Sequence, residues 1–251
     1  MSSKWITTIS VFSALSFAST AFAQDATSDK RGAYVSLQAG AAKVDDVDLV
    51  YLDEGGAFGG SGAQDSARFD ADLKSAFNIS AAIGYDFGLI RTDVEVAYSR
   101  NKVKGLTLEA INGSPVPLSA SDRSDICEYL EVDSCGGAGN TFQVEGSKLR
   151  QLTALGNVWL DVPTGLPVTP YVGGGLGVAG FELDGEGKAR FAWQVGAGLA
   201  FNLSPSAAIT LDYRHRQAKG ATIADEDFED AAVRIGKIRT DAFTAGVRFH
   251  F

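Results

Sequence analysis

The closing stretch Ile238–Phe251, Ile-Arg-Thr-Asp-Ala-Phe-Thr-Ala-Gly-Val-Arg-Phe-His-Phe, decides how the rest of the chain is read. Backwards from the last residue, Phe251, Phe249, Val247, Ala245 and Phe243 take every second position. Small or polar residues, His250, Arg248, Gly246, Thr244 and Ala242, stand between them. Successive side chains of a strand point to opposite faces, so this period of two predicts a β-strand with one apolar and one polar side. A strand that stops on an aromatic residue is an uncommon ending for a domain surrounded by water.

The same alternation recurs upstream. A first strand runs from about Ala33 to Lys43 through Val35, Leu37 and Ala39. A second, Ala76 to Phe87, sets Phe77, Ile79, Ile83 and Tyr85 against Asn78, Ser80, Gly84 and Asp86. Gly88-Leu89 is hairpin length and leads to a third, with Ile90, Val94, Val96 and Tyr98 against Arg91, Asp93 and Glu95. The fourth, Leu149 to Val162, alternates more weakly, with Leu152, Ala154, Val158, Leu160 and Val162 opposite Asn157, Trp159 and Asp161. The fifth, Pro170 to Phe181, sets Val172, Leu176 and Val178 against Tyr171, Gly173, Gly175 and Gly177. The sixth sets Phe191, Trp193, Val195, Leu199 and Phe201 against Gln194, Gly196 and Gly198; the seventh sets Ile209, Leu211 and Tyr213 against Thr210, Asp212, Arg214 and Arg216. Short links alternate with long ones. Asp45–Leu73, Lys102–Lys148 and Gln217–Lys237 read as long irregular loops, and Glu182–Arg190 as a shorter one. Within them Asp48–Leu52 is a candidate extension of the first strand and Leu106–Ile111 a candidate extra hairpin.

An even number of strands, each long enough to cross a bilayer when tilted, with short turns at one rim and long loops at the other, is the pattern of a membrane barrel. A soluble sandwich could match the strand count, but not the faces. Aromatics crowd the ends of the apolar side (Phe77, Tyr85, Phe87, Tyr98, Trp193, Phe201, Phe249, Phe251), as interfacial girdles require. The other side carries Asp, Glu and Arg, which a dry sandwich core would not accept unpaired. The predicted fold is all-β: an eight-stranded antiparallel up-and-down transmembrane β-barrel with short periplasmic turns and long extracellular loops, spanning residues 33–251.

The first 23 residues follow a different grammar. Lys4 is a short positive region, Trp5–Phe17 is mainly apolar, and Ala21-Phe22-Ala23 is an A-x-A cleavage site. The expected organisation is a signal peptide at 1–23, cleaved after Ala23, then a short periplasmic leader at 24–32. The net charge is −9, and one unit more negative without Lys4, which argues against nucleic acid as a partner. Cys127 and Cys135 lie close together in a polar stretch; in an exported protein they read as one disulfide closing a surface loop.

Several constellations bear on chemistry. Gly175-Leu176-Gly177-Val178-Ala179-Gly180 spells G-x-G-x-x-G, but no helix start follows it, so the glycines are expected to give room inside a barrel. Arg91, Asp93, Glu95, Asp161, Asp212, Arg214, Arg216 and Arg248 all fall on polar faces. An eight-stranded barrel is just wide enough for side chains to fill, so these charges are expected to form a paired network that plugs the lumen. His215 and His250 are the only histidines, too few for a convincing acid–base site, and no enzyme is expected. The run Asp225–Asp230 lacks the spacing of a calcium loop, and no cofactor or metal site is expected.

Tyr34-Val35, Gly84-Tyr85-Asp86-Phe87, Pro170–Gly177, Trp193–Gly198 and Asp212-Tyr213-Arg214 resemble the small outer-membrane β-barrel family of proteobacteria, the surface antigen or porin-like proteins with an outer-membrane protein A-type barrel. The resemblance covers the strands and none of the long loops; Ala33, where members often place an aromatic, and the small fifth connection depart from it. It implies the bacterial outer membrane, with its lipid and lipopolysaccharide and the barrel-assembly machinery as partners. It also implies that Phe251, Phe249 and Val247 form the C-terminal assembly signal. The expected role is structural or interactive: envelope integrity, antigen display, or adhesion to host or environmental surface ligands through the loops. The alternative is a small porin passing ions or small solutes. No serine stands two residues after His215, as it does in lipid-A deacylase barrels.

Overall fold

A computed structural model describes residues 31–251 apart from 57, 130–134, 145–147, 184–185 and 225–230. The expected signal peptide, nearly all of the leader and the acidic run 225–230 therefore lie outside the described residues.

The chain forms β1 (Gly32–Val44), β2 (Val47–Glu54), β3 (Gln64–Leu73), β4 (Ala76–Asp86), β5 (Ile90–Ile111), α1 (Ala120–Tyr129), β6 (Cys135–Gly136) and β7 (Thr141–Val144). These are followed by β8 (Lys148–Asp161), β9 (Val168–Leu183), β10 (Glu186–Ser204), β11 (Ala207–Ala218), β12 (Ala221–Ala224), β13 (Ala232–Ile235) and β14 (Ile238–His250). Eight of the strands pair antiparallel around a closed ring, β1-β14-β11-β10-β9-β8-β5-β4 and back to β1. Closure leaves no open edge, which is the condition for crossing a bilayer with strands. No described helix is long and apolar enough to cross a membrane.

Alternation assigns the faces. Leu37, Ile83, Val94, Leu152, Leu176 and Phe243 are each more than half exposed on the outside of the wall, while Ser36, Asn78, Asp93, Gln194, Thr210 and Arg248 are buried inside it. Tyr85 packs on Phe87 at 4.7 Å near the turn end, and Tyr213 on Phe243 at 4.9 Å toward the loop end. At the turn end Gly88 adopts a φ of +106°, and Asp86 Oδ1 accepts its N–H at 2.7 Å. That left-handed conformation is what a two-residue hairpin asks of glycine.

The loop end differs from the sequence reading. The segment 45–73 is a hairpin, β2–β3, and β5 continues well past Tyr98 to pair with β3. β13 joins β2, β12 joins β13, and β7 joins β5, so a second sheet stands above the barrel rim. The Lys102–Lys148 region also contains α1, where Ser119 Oγ accepts from Asp122 N at 3.2 Å and Asp122 Oδ2 accepts from Ser119 N at 2.8 Å. This reciprocal arrangement caps the helix start. The raised sheet is held by burial. Val47, Leu49, Phe69, Ala71, Leu73, Val103, Leu108, Phe142, Phe181, Ile235 and Ile238 form one apolar cluster that descends into the barrel as far as Leu155, Ala192 and Ala218.

Candidate functional site

The lumen below this apolar cluster is polar and filled. Nearest the turn end, His250 Nε2 lies 3.2 Å from Asp86 Oδ2, and Arg91 clamps Asp161 with Nε at 2.8 Å and Nη2 at 2.9 Å. A mouth of about 310 Å³ opens here between Asp86, Asp161, Thr164, Asn202, Arg248 and His250. Arg248, which lines it, lies over two buried tyrosine rings. The Arg91 and Arg248 guanidinium groups lie 4.8 and 5.0 Å from the Tyr171 ring and 5.5 Å each from the Tyr34 ring. Cations over aromatic faces are attracted to the ring quadrupole, more strongly when both are dry.

The tyrosine hydroxyls carry the network inward. Tyr34 donates to Asp93 Oδ2 at 2.7 Å and Tyr171 to Asp212 Oδ1 at 2.7 Å. Asp93 also accepts from Trp159 Nε1 at 2.9 Å and Asn157 Nδ2 at 2.6 Å, and Asp212 from Gln38 Nε2 at 2.8 Å. Glycines make room for the rings: a Cβ on Gly198 would meet the Tyr171 ring at 2.5 Å, and one on Gly84 would meet the Tyr34 ring at 2.8 Å.

Glu95 sits between two arginines. Arg216 Nη2 donates to its Oε1 at 2.6 Å, and Arg214 Nη1 contacts its Oε2. Arg216 Nε also donates to Gln194 Oε1 at 2.9 Å, and Arg214 Nη2 to Asp212 at 3.1 Å. β5 and β11 stand opposite one another in the ring, so the Glu95 clasp spans the barrel's diameter. Thr240 on β14 reaches Gln151 on the facing strand β8 at 3.2 Å. Above this contact the interior turns apolar.

All eight charged residues picked from the polar faces, Arg91, Asp93, Glu95, Asp161, Asp212, Arg214, Arg216 and Arg248, are at most 8% exposed. Tyr34, Gln38 and Asn78 were not singled out as partners. Their signal was a polar or polar-tipped side chain on the inward parity, and each of the three stands opposite a glycine on a neighbouring strand. Gly175 and Gly177 lie within β9, where the chain continues as strand, so the phosphate-cradle reading of this motif falls.

Outside the wall, His215 Nδ1 and Tyr213 Oη both lie 2.8 Å from Asp241 Oδ1. Val247, Phe249 and Phe251 also face outward, and Phe251 N donates to Ala33 O at 2.9 Å. Cys127 sits in α1 against the apolar cluster; the side chain of its expected partner Cys135 is outside the described residues. On the raised sheet Asp65 accepts from Gly60 N at 2.8 Å, Phe58 N at 2.9 Å and Asn112 Nδ2 at 3.2 Å. These bonds, that from Gly60 first, hold its carboxyl below the usual range. Asp70 is pushed up by partial burial and by the negative charges of Asp46, Asp48, Glu109 and Asp72. Among the described residues no group of three His, Cys, Asp or Glu side chains could hold a metal ion.

A closed eight-stranded wall with an apolar outside and a polar inside defines a membrane β-barrel. The chain belongs to the outer membrane protein beta-barrel domain family, whose family model matches residues 10–251. It is 27% identical over 192 residues to an uncharacterized protein of Brucella suis biovar 1, and 26% identical over 198 residues to one of Brucella abortus. Each match covers 68% of this chain and 62% of the relative, so the chain spans less than two thirds of the curated relatives it matches. Among solved structures it is similar to the outer membrane protein OprG from Pseudomonas aeruginosa, with 14% identity, 88% and 97% of the two chains covered, and a TM-score of 0.49. It is also similar to Neisserial surface protein A, with 19% identity, the same coverage and a TM-score of 0.45.

Proposed function

We propose that this protein is a non-conducting outer-membrane barrel that acts through surface contact, presenting its raised sheet outside the cell. The observation that carries the reading is the Glu95 clasp across the lumen with the apolar cluster stacked directly on it. Water and ions would have to displace a buried ion pair and then enter a dry core, and both steps are costly. The rigid wall positions the sheet, and exposed connecting segments are where partner recognition concentrates. Asp48, Asp70, Asp72 and Glu109 on that sheet lie close together, with Asp46 just before it, which favours a basic partner surface. We assign the chain no catalytic role. Export with cleavage after Ala23 and a Cys127–Cys135 link in the loops belong to the same reading, and N-terminal sequencing and non-reducing peptide mapping test them.

Planar-bilayer recording with purified protein is the deciding experiment. No stable ohmic opening is expected, and removing the β2–β3 hairpin should abolish surface binding. Large stable openings, or liposome swelling with small sugars, would instead support the small porin.

A further inference from the structure

Four arginines are buried inside the wall, and three are answered by carboxylates: Arg91 by Asp161, Arg214 by Glu95 and Asp212, and Arg216 by Glu95. Arg248 is not. It is 5% exposed, and its Nε is buried without a hydrogen-bond partner. Among the described residues no carboxylate lies within ion-pair distance of its guanidinium. The Tyr34 and Tyr171 rings offset part of the cost of burying it. Rings supply neither a counter-charge nor an in-plane acceptor, so the N–H donors of this guanidinium are left for something else.

Arg248 also lines the turn-end mouth of about 310 Å³. At about 30 Å³ per water, that is space for about ten waters, or for a ligand of about ten non-hydrogen atoms. The other charged groups there are already engaged. Asp161 accepts two bonds from Arg91, while Asp86 accepts from Gly88 N and lies 3.2 Å from His250 Nε2. An entering anion therefore meets one unanswered cation, flanked by two carboxylates that oppose a second negative charge. Asn202 Nδ2 gives one hydrogen to Thr169 Oγ1 at 3.2 Å and keeps another for a ligand. Leu89, Pro163 and Leu166 give the same space an apolar side.

We propose that this mouth binds a small monocarboxylate, free or at the end of a peptide. The two oxygens of a carboxylate match the paired N–H groups along one edge of a guanidinium. A phosphate dianion would bring its second charge against Asp86 and Asp161. The carbon chain of the acid lies on the apolar side of the mouth. The site is at the opposite end of the barrel from the raised sheet, so it goes beyond the surface role and does not rest on it.

The test uses the full chain, isotope-labelled and folded in detergent micelles, near neutral pH and at constant ionic strength. The Arg248 Nε–Hε resonance is followed against acetate, N-acetylalanine, N-acetylalanine amide and inorganic phosphate. Both carboxylates should shift it saturably, with phosphate weaker and the amide inert. Arg100, exposed on the outer wall, gives the non-specific slope. Asn202→Asp changes the shape little but sets a rival carboxylate in the mouth; it should weaken acetate at least about tenfold, the worth of one charge-assisted hydrogen bond. Arg248→Gln, checked for folded gel mobility, should remove the saturable response at the Gly88 and His250 amides; should it not fold, Asn202→Asp carries the test. A response at Arg248 no steeper than at Arg100, or unchanged affinity in Asn202→Asp, overturns the proposal. Phosphate or the amide binding as well as acetate overturns the carboxylate assignment. Tighter binding of N-acetylalanine than of acetate upholds it with a peptide end as the source, and equal binding upholds it with a free acid. A conducting lumen in bilayer recordings would defeat the preceding reading without altering these titrations.

Discussion

Replacing Glu95 by Gln removes the one anion shared by Arg214 and Arg216 and leaves the shape of the site nearly intact. The side chains are 2%, 6% and 7% exposed, so water cannot replace the lost charge. Breaking a buried pair by removing one partner costs about 3–5 kcal/mol. Gln can still accept one hydrogen bond, which places the expected loss near the lower end, about 3 kcal/mol. At a urea slope of about 2 kcal/mol per molar, the unfolding midpoint would fall by roughly 1.5 M. The assay is urea unfolding of the barrel in lipid vesicles, followed by the fraction that keeps its folded gel mobility without heating. The Arg150–Glu182 pair supplies an internal control, since its side chains are 44% and 39% exposed. Glu182→Gln should cost at most about 1 kcal/mol, as exposed pairs do. A cycle with Arg216→Gln should then return a coupling of more than about 1 kcal/mol for Glu95 and Arg216. Equal, small shifts for Glu95→Gln and Glu182→Gln would refute the argument that the clasp is dry and spans the lumen.

Gly198→Ala puts a methyl 2.5 Å from a Tyr171 ring fixed by Asp212 and two guanidinium groups, and should cost about 1–3 kcal/mol in the same unfolding assay; an unchanged midpoint would contradict the packing. Asp65 has a lowered carboxyl pKa in the folded protein, so its support for the β2–β3 tip is present above the unfolded value of about 3.9 and disappears as pH falls through the lower folded value. The Phe58 and Gly60 amide resonances should accordingly titrate with a midpoint below that of Asp65 in an unfolded peptide, and a midpoint at or above it would remove the claim. Deleting Phe251 should lower the yield of heat-modifiable, membrane-inserted protein far more than deleting an exposed loop residue such as Gly113, whose surroundings are open; equal yields would remove any assembly role from the terminal strand.

The barrel was legible in the sequence because its wall separates lipid from a polar interior, which forces a period of two on every strand. Even the weakly alternating fourth strand came out with Trp159 and Asp161 inside and Leu152, Val158 and Leu160 outside. The raised sheet was not legible, for a physical reason. Its strands are buried on one face only and meet water on the other, so Asp70 and Asp72 interrupt Phe69, Ala71 and Leu73 and give a segment as acidic as a loop. In β5 a register shift near Leu108 and another near Leu73 of its partner break the period at the place where the strand leaves the wall. The helix had a readable start in Ser119-Ala120-Ser121-Asp122, a capping box ahead of a segment with little apolar character. The partners of the lumen charges were out of reach for a different reason. Which tyrosine meets which aspartate depends on ring order and strand stagger, and periodicity carries neither.

Ring order also explains why the interior needs two kinds of filling. Contacts between neighbouring strands, such as Arg91–Asp161, stiffen the wall locally but leave the centre open. Only side chains from opposite strands close the middle, and long charged ones reach across where the surroundings supply hydrogen-bonding partners. Arg214 and Arg216 meet Glu95 at that level, with Asn78, Gln194 and Asp212 completing the shell. Higher up, β5 rises above the rim and folds against β3 and β7, so Phe142 and Leu108 arrive from the raised sheet and the closure becomes apolar. The polar plug and the raised sheet are therefore continuous through Gln151, Thr240 and Leu155. A partner that pulls on the sheet acts on the top of the plug, and the Glu95 clasp is the first charged layer it would have to break.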